Sequence, residues 1–134
     1  MLLVDTGVLY ALADRDDAWH VRSVQLLRHS RERLLAPVTV LPEVAYLIQS
    51  RLGSPAEQRF IRSVADRELA VETPSEADWT RCVELVAKYP DIGLVDASVI
   101  AIAERLRVST IATTDRRHFG AVRPRHRAAF DLVP

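Results

Sequence analysis

One cysteine, one lysine and four glycines occur among these 134 residues, and each scarcity removes a class of protein. A single thiol, Cys82, closes no internal disulfide, so a disulfide-stapled scaffold is excluded and a reducing, cytoplasmic setting is expected. The glycines are never paired at the spacing of a phosphate-cradling loop, which argues against a nucleotide-binding module. Lys88, the sole lysine, falls in a helical pattern and not at a strand end. A phospho-acceptor receiver domain needs a late lysine near its acceptor aspartate, so that class is set aside too. An excess of one charge is also missing, since 18 Lys+Arg face 18 Asp+Glu. Coating of nucleic acid by bulk electrostatics is thereby disfavoured, while a local basic patch is not. The opening Met1-Leu2-Leu3-Val4-Asp5 has no basic flank and meets a carboxylate at once, so neither a signal peptide nor a membrane span is expected.

What is present is ordinary globular material: 49% hydrophobic and 27% charged residues, with no repeat, low-complexity linker or break in composition. The length fits one domain, 1–134, able to bury roughly two-thirds of its unfolded surface. Short apolar runs at Leu2–Asp5, Leu34–Val38, Leu69–Glu72, Val108–Thr113 and Ala129–Val133 alternate with helix-length segments. Val40, Val44, Leu47, Ile48 and Leu52 have helical spacing, as do Val95, Val99, Ile102 and Leu106. Ser54-Pro55-Ala56-Glu57 reads as a capping box, and Ser75-Glu76-Ala77-Asp78 as a weaker relative with Asp at its fourth position. Gly53 and Pro90 punctuate helix ends. Alternating βα units with continuous apolar strands predict an α/β domain, its central sheet mainly parallel and five-stranded, with helices on both faces.

In such a sheet ligands bind beyond the carboxyl ends of the strands, where strand order reverses. Asp5 ends the first strand and Asp115 follows the fourth; Glu43 lies in the first turn after the second strand, and Asp96 near the start of the helix before the fourth. Asp96 shares its helical face with Val99, Ile100 and Ala103, an apolar setting in which an ionised carboxylate costs several kcal/mol unless an arginine or a metal ion compensates it. Glu43, followed by Ala45-Tyr46-Leu47-Ile48, presents the same problem. Taken singly, Asp5 and Asp115 serve equally well as helix caps, Glu43 as a partner of its helix dipole, and Asp96 as half of a buried salt bridge. Together they form an anionic cleft that divalent cations relieve. All-oxygen ligands select Mg²⁺ or Mn²⁺ over zinc, and no Cys/His pair here has zinc spacing.

These residues resemble a known family. Leu3-Val4-Asp5-Thr6-Gly7-Val8-Leu9 looks like the opening of a PIN domain, and Val40-Leu41-Pro42-Glu43-Val44 like its second motif. Gly93-Leu94-Val95-Asp96-Ala97-Ser98 and Thr113-Thr114-Asp115-Arg116-Arg117-His118-Phe119 are similar to its third and fourth. The likeness runs end to end, through Val122-Arg123-Pro124 and Phe130-Asp131-Leu132-Val133-Pro134, and is strongest to the VapC-type toxins of toxin–antitoxin pairs. It implies a three-layer α/β/α sandwich and a metal-dependent endoribonuclease acting on tRNA or on rRNA loops. Carried over by position, Asp5, Glu43, Asp96 and Asp115 are the acids that hold Mg²⁺ or Mn²⁺. Thr113 is a hydroxyl that orders the site, and Asp91 matches an acidic position just before the third motif or caps a helix. The resemblance further implies a homodimer and a cognate VapB-type antitoxin.

For substrate grip, Arg116 and Arg117 open a basic segment that also holds Arg123, Arg125 and Arg127, and arginine forks suit phosphate oxygens. The other reading of that run is a solvated basic loop. Trp19, Trp79 and Tyr46 offer rings for stacking on bases, although helical spacing favours core or dimer packing for the last two. His118 suggests a general acid, against the plainer reading of a surface histidine beside two arginines. The rival to a nuclease is a PIN fold that binds RNA or scaffolds without catalysis; the intact acids weigh against it.

Overall fold

The first strand, β1 (Leu2–Val4), sits at the centre of the sheet and is buried along its whole length. The computed structural model describes all 134 residues. After β1 come α1 (Thr6–Ala13), α2 (His20–His29), β2 (Leu34–Pro37), α3 (Val40–Leu52), α4 (Ser54–Ala65) and β3 (Ala70–Glu72). Then follow α5 (Glu76–Lys88), α6 (Leu94–Leu106), β4 (Thr110–Ala112), α7 (Arg116–Ala121) and β5 (Asp131–Val133). The five strands run in the order β3-β2-β1-β4-β5, and every pairing is parallel. The sheet is therefore wholly and not mainly parallel, and strand order reverses at β1, with β2 on one side and β4 on the other. That reversal puts the ends of β1 and β4 on either side of one crevice.

Helices cover the sheet as two packed groups. In one, α1 packs on α2 and α3, and α3 packs on α4; in the other, α5 lies along α6. The helix α6 is the best buried of them: Val99, Ile100, Ile102 and Ala103 have no exposed surface. Full burial of each larger side chain among them contributes about 2 kcal/mol. Arg81 on α5 forks onto Glu104 on α6, Nε to Oε2 at 2.8 Å and Nη2 to Oε1 at 2.9 Å. Arg105 Nε donates to buried Asp78 at 2.8 Å. These bonds fix α6 along its axis against α5, and so fix what its first turn carries.

The two capping predictions exchange places. Ser75 and Asp78 form the complete box, with Asp78 N–H donating to Ser75 Oγ at 3.1 Å and Ser75 N–H to Asp78 Oδ2 at 2.9 Å. Ser54 is instead the first residue of α4 and caps nothing, because Gly53, at φ +90°, joins α3 directly to α4 and takes the cap position itself. No helix is long and apolar enough to cross a membrane.

Candidate active site

Asp5 follows β1 and enters the crevice as the residue before α1. Its carboxylate is 5% exposed; Oδ2 accepts a bond from Thr113 Oγ1 at 3.0 Å, whereas Oδ1 is buried without any partner. Burial pushes this carboxyl up to about 6, assisted by the charges of Asp96 and Glu43 and opposed by the Thr6 amide and the Thr113 hydroxyl. The fully buried Thr113 also accepts the Asp115 N–H at 2.9 Å, so one hydroxyl ties the end of β1 to the end of β4. Gly7 belongs to the same junction. A Cβ there would fall on Thr114 Oγ1 and lie 3.1 Å from Thr114 Cβ, so only glycine lets α1 start beside the β4–α7 loop.

Asp96 lies in the first turn of α6 and is partly exposed, its backbone set among buried Ala97, Ser98, Val99 and Ile100. Its carboxyl is raised by burial first and by the Asp115 charge second, with His118 opposing. No arginine pairs with Asp96; the side chain beside it is His118, whose Nδ1 is 3.4 Å from Asp96 Oδ2. The same Nδ1 is 2.7 Å from Asp115 Oδ2. Donor atoms of Asp96, Asp115 and His118 all lie within 4.8 Å of one another. Asp115 acts as the helix cap weighed for it, its Oδ1 accepting the His118 backbone N–H at 2.9 Å at the start of α7.

Glu43 sits in the first turn of α3 as expected, but the side chain is exposed and the expected burial on an apolar stripe is absent. Buried Val44 and Ile48 face inward while Glu43 turns to solvent at the rim, where its charge still acts on Asp5 and Asp96. Asp91 caps no helix; the residue before α6 is Gly93, and Asp91 is exposed with Arg117 Nη2 4.0 Å away. Arg116 is held to the Pro134 carbonyl oxygen and lies 5.9 Å from the Trp19 ring, and Arg117 is 85% exposed. Farther along, Arg125 pairs with Glu84 and Arg127 with Asp131, while Arg123 is exposed with no acid partner, so Arg116, Arg117 and Arg123 remain of the basic run. Tyr46 and Trp79 are not core residues: they are 70% and 43% exposed.

The donors present suit a hard divalent ion: closely set carboxylates, a buried carboxylate oxygen without a partner, and carboxyl groups pushed up by crowding and burial. A switch-point crevice lined by acids on a parallel sheet is the arrangement of the PIN domain, and the PIN domain family profile matches residues 2–123. The chain belongs to that family, in its VapC-type branch. It is 32% identical to ribonuclease VapC26 of Mycobacterium tuberculosis, over 99% of this chain and all of that protein. The crystal structure of Mycobacterium tuberculosis VapC20, a sarcin-ricin loop cleaving toxin, superposes with a TM-score of 0.86 at 19% identity, covering all of both chains. A toxin–antitoxin complex from Klebsiella pneumoniae matches at TM-score 0.71 and 20% identity, over 91% of this chain and 92% of that one.

Proposed function

We propose that this protein is a Mg²⁺- or Mn²⁺-dependent endoribonuclease toxin that cuts RNA, in an exposed loop of tRNA or rRNA, and is held in check by a VapB-type antitoxin. The observation that carries the reading is the unpartnered, buried Asp5 oxygen beside the Asp96–Asp115–His118 cluster. Such a crevice calls for a cation. Asp5, Asp96 and Asp115, with Glu43 at the rim, would hold the ion. Bound there, it would polarise a phosphodiester and lower the pKa of a water for in-line displacement.

The chain itself supplies position and exclusion. Thr113 orients the Asp5 carboxylate and the Asp115 backbone together, so the two strand ends cannot drift apart. Arg116 and Arg117 border the site from α7 and offer forks for the flanking phosphates. Attack of a water on phosphorus with the O3′–phosphorus bond breaking, the 3′ oxygen leaving and taking up a proton, would leave 5′-phosphate and 3′-hydroxyl ends.

Asp5→Asn, Asp96→Asn and Asp115→Asn should each lower cleavage at least about a hundredfold, and Glu43→Gln less, by analogy with the 10–100-fold cost of losing even supporting groups around a metal. Mapping cleaved 5′ ends in expressing cells identifies the RNA. Undiminished cutting by chelator-treated protein, or by two of these variants, overturns the reading.

Two partners complete it. A second copy would dock on the stripe of Trp79, Val83 and Val86 along α5 with Leu94 of α6, all four at least 43% exposed. The antitoxin would lie along α4. Phe60 lines both a hollow of about 430 Å³ with Leu9, Leu12 and Leu27 and a second one with Leu41, Pro42 and Ala45, next to Glu43. These apolar hollows, the first edged by Arg15, Arg59 and Glu68, suit an amphipathic helix.

A further inference from the structure

We infer that His118 is itself a ligand of the cation, donating through Nδ1, so that the site is a mixed oxygen and nitrogen set and not a purely carboxylate one. The inference rests on the metal-site reading above and adds to it a residue that the acidic motifs do not contain.

The geometry is that of a donor already in place. Nδ1 stands 2.7 Å from Asp115 Oδ2 and 3.4 Å from Asp96 Oδ2. These separations bracket the ~3 Å edge of an octahedron with bonds of about 2.1 Å. Asp5, nine-tenths buried and with Oδ1 unsatisfied, borders the same three residues through Thr113 and through its charge on Asp96. The imidazole is also held there. The backbone N–H of His118 donates to Asp115 Oδ1, and the next residue, Phe119, is completely buried and pins α7 to the core. Asp115, the N-cap of α7, and His118, in its first turn, are three residues apart and their side chains meet at 2.7 Å.

The other histidines show what a structural imidazole does in this protein. His20 Nδ1 bonds the Ala11 carbonyl, His29 Nδ1 the Gln25 carbonyl, and His126 Nε2 the Val108 carbonyl. Each is spent on backbone. His118 alone turns a ring nitrogen toward carboxylates. With the ring proton on Nε2, Nδ1 offers its lone pair to the space between Asp96 and Asp115.

A nitrogen donor changes selectivity. Imidazole suits transition metals, whereas Mg²⁺ demands hard oxygen ligands, so the site should prefer Mn²⁺ over Mg²⁺ more strongly than a carboxylate set would. The probe is Mn²⁺ bound to the purified chain, followed by electron paramagnetic resonance and spin-echo modulation from ¹⁴N. Wild type should show imidazole ¹⁴N coupling. His118→Asp, an acid in the first turn of a helix and so compatible with folding, should bind Mn²⁺ without that coupling. His118→Ala should weaken Mn²⁺ binding about tenfold and Mg²⁺ binding less. Asp96→Asn separates the two claims. If Mn²⁺ binds wild type, is lost in Asp96→Asn and shows no ¹⁴N coupling, the metal site stands and the His118 inference falls. Coupling that survives His118→Asp overturns it too, and failure of wild type to bind Mn²⁺ overturns both.

Discussion

The hydroxyls of Thr39 and Ser98 are 2.5 Å apart across 59 residues of sequence, and together they join the start of α3 to the first turns of α6. Ser98 donates onward to the Val95 carbonyl at 2.7 Å, so Thr39 is the donor of the pair. Glu43 lies four residues after one hydroxyl and Asp96 two before the other. This bond therefore sets the rim of the crevice against its floor.

Ser98 is fully buried, so removing its hydroxyl leaves the Thr39 donor without its acceptor. Ser98→Ala should cost about 1–2 kcal/mol in urea unfolding. The Thr39→Val, Ser98→Ala double-mutant cycle should show a coupling near 1 kcal/mol. Strict additivity of the two single changes would mean that the contact carries no energy of its own.

Asp5 predicts a pH dependence with a definite sign. Its folded carboxyl lies near 6 against an ordinary 3.8, so the folded state holds a proton that the unfolded chain gives up earlier. The stability this confers is complete below about pH 4 and is lost as pH rises through 6, a span of about 3 kcal/mol. In chelator, Asp5→Asn should therefore melt above wild type at pH 7.5, and the difference should shrink toward pH 4. Saturating Mn²⁺ should reverse the order, because the ion stabilises wild type by mass action and the variant holds it poorly. A variant less stable than wild type at pH 7.5 in chelator would show that the Asp5 charge is matched within the protein.

Much of the crevice was legible from the amino-acid sequence, and the reasons differ from residue to residue. Asp5 and Asp115 could be placed because continuous apolar runs mark buried parallel strands and the acids stand just past their ends. Glu43 was positioned correctly along the chain yet not around the helix axis. Its neighbours Val44 and Ile48 take the inward face, and a carboxylate one residue before them is turned out by a hundred degrees. His118 was obscured by Arg116 and Arg117, which suggested a solvated loop; the Asp115-x-x-His118 spacing on a helical turn was the signal that pointed inward. Gly53 defeated the capping motif at Ser54 because a left-handed residue can join two helices with no cap side chain at all.

The dimer proposal turns on Val83, which is 71% exposed midway along the α5 stripe. Val83→Glu should convert a dimer to a monomer in sedimentation velocity while leaving the melting temperature within a few degrees, since an exposed site tolerates charge. Dimerisation unchanged by Val83→Glu would move the interface elsewhere.

Antitoxin control should act through the acids and through α4 separately. An anionic crevice short of a cation is a receptor for a guanidinium, which bonds carboxylates bidentately. An arginine from the antitoxin reaching Asp5, Asp96 and Asp115 would compete with the ion, and the apolar surface shared by Phe60, Ile61 and Leu41 would anchor the helix that delivers it. Ile61, 54% exposed, lies on that surface and is not itself one of the acids, so Ile61→Asp should weaken antitoxin binding roughly tenfold or more and leave Mn²⁺ binding by the free chain intact. The complex with wild type should take up Mn²⁺ more weakly than the free chain, and substitution of the antitoxin's arginine should restore uptake without releasing the helix. A complex that binds Mn²⁺ as tightly as the free chain and still cuts RNA would mean that inhibition does not run through the carboxylates.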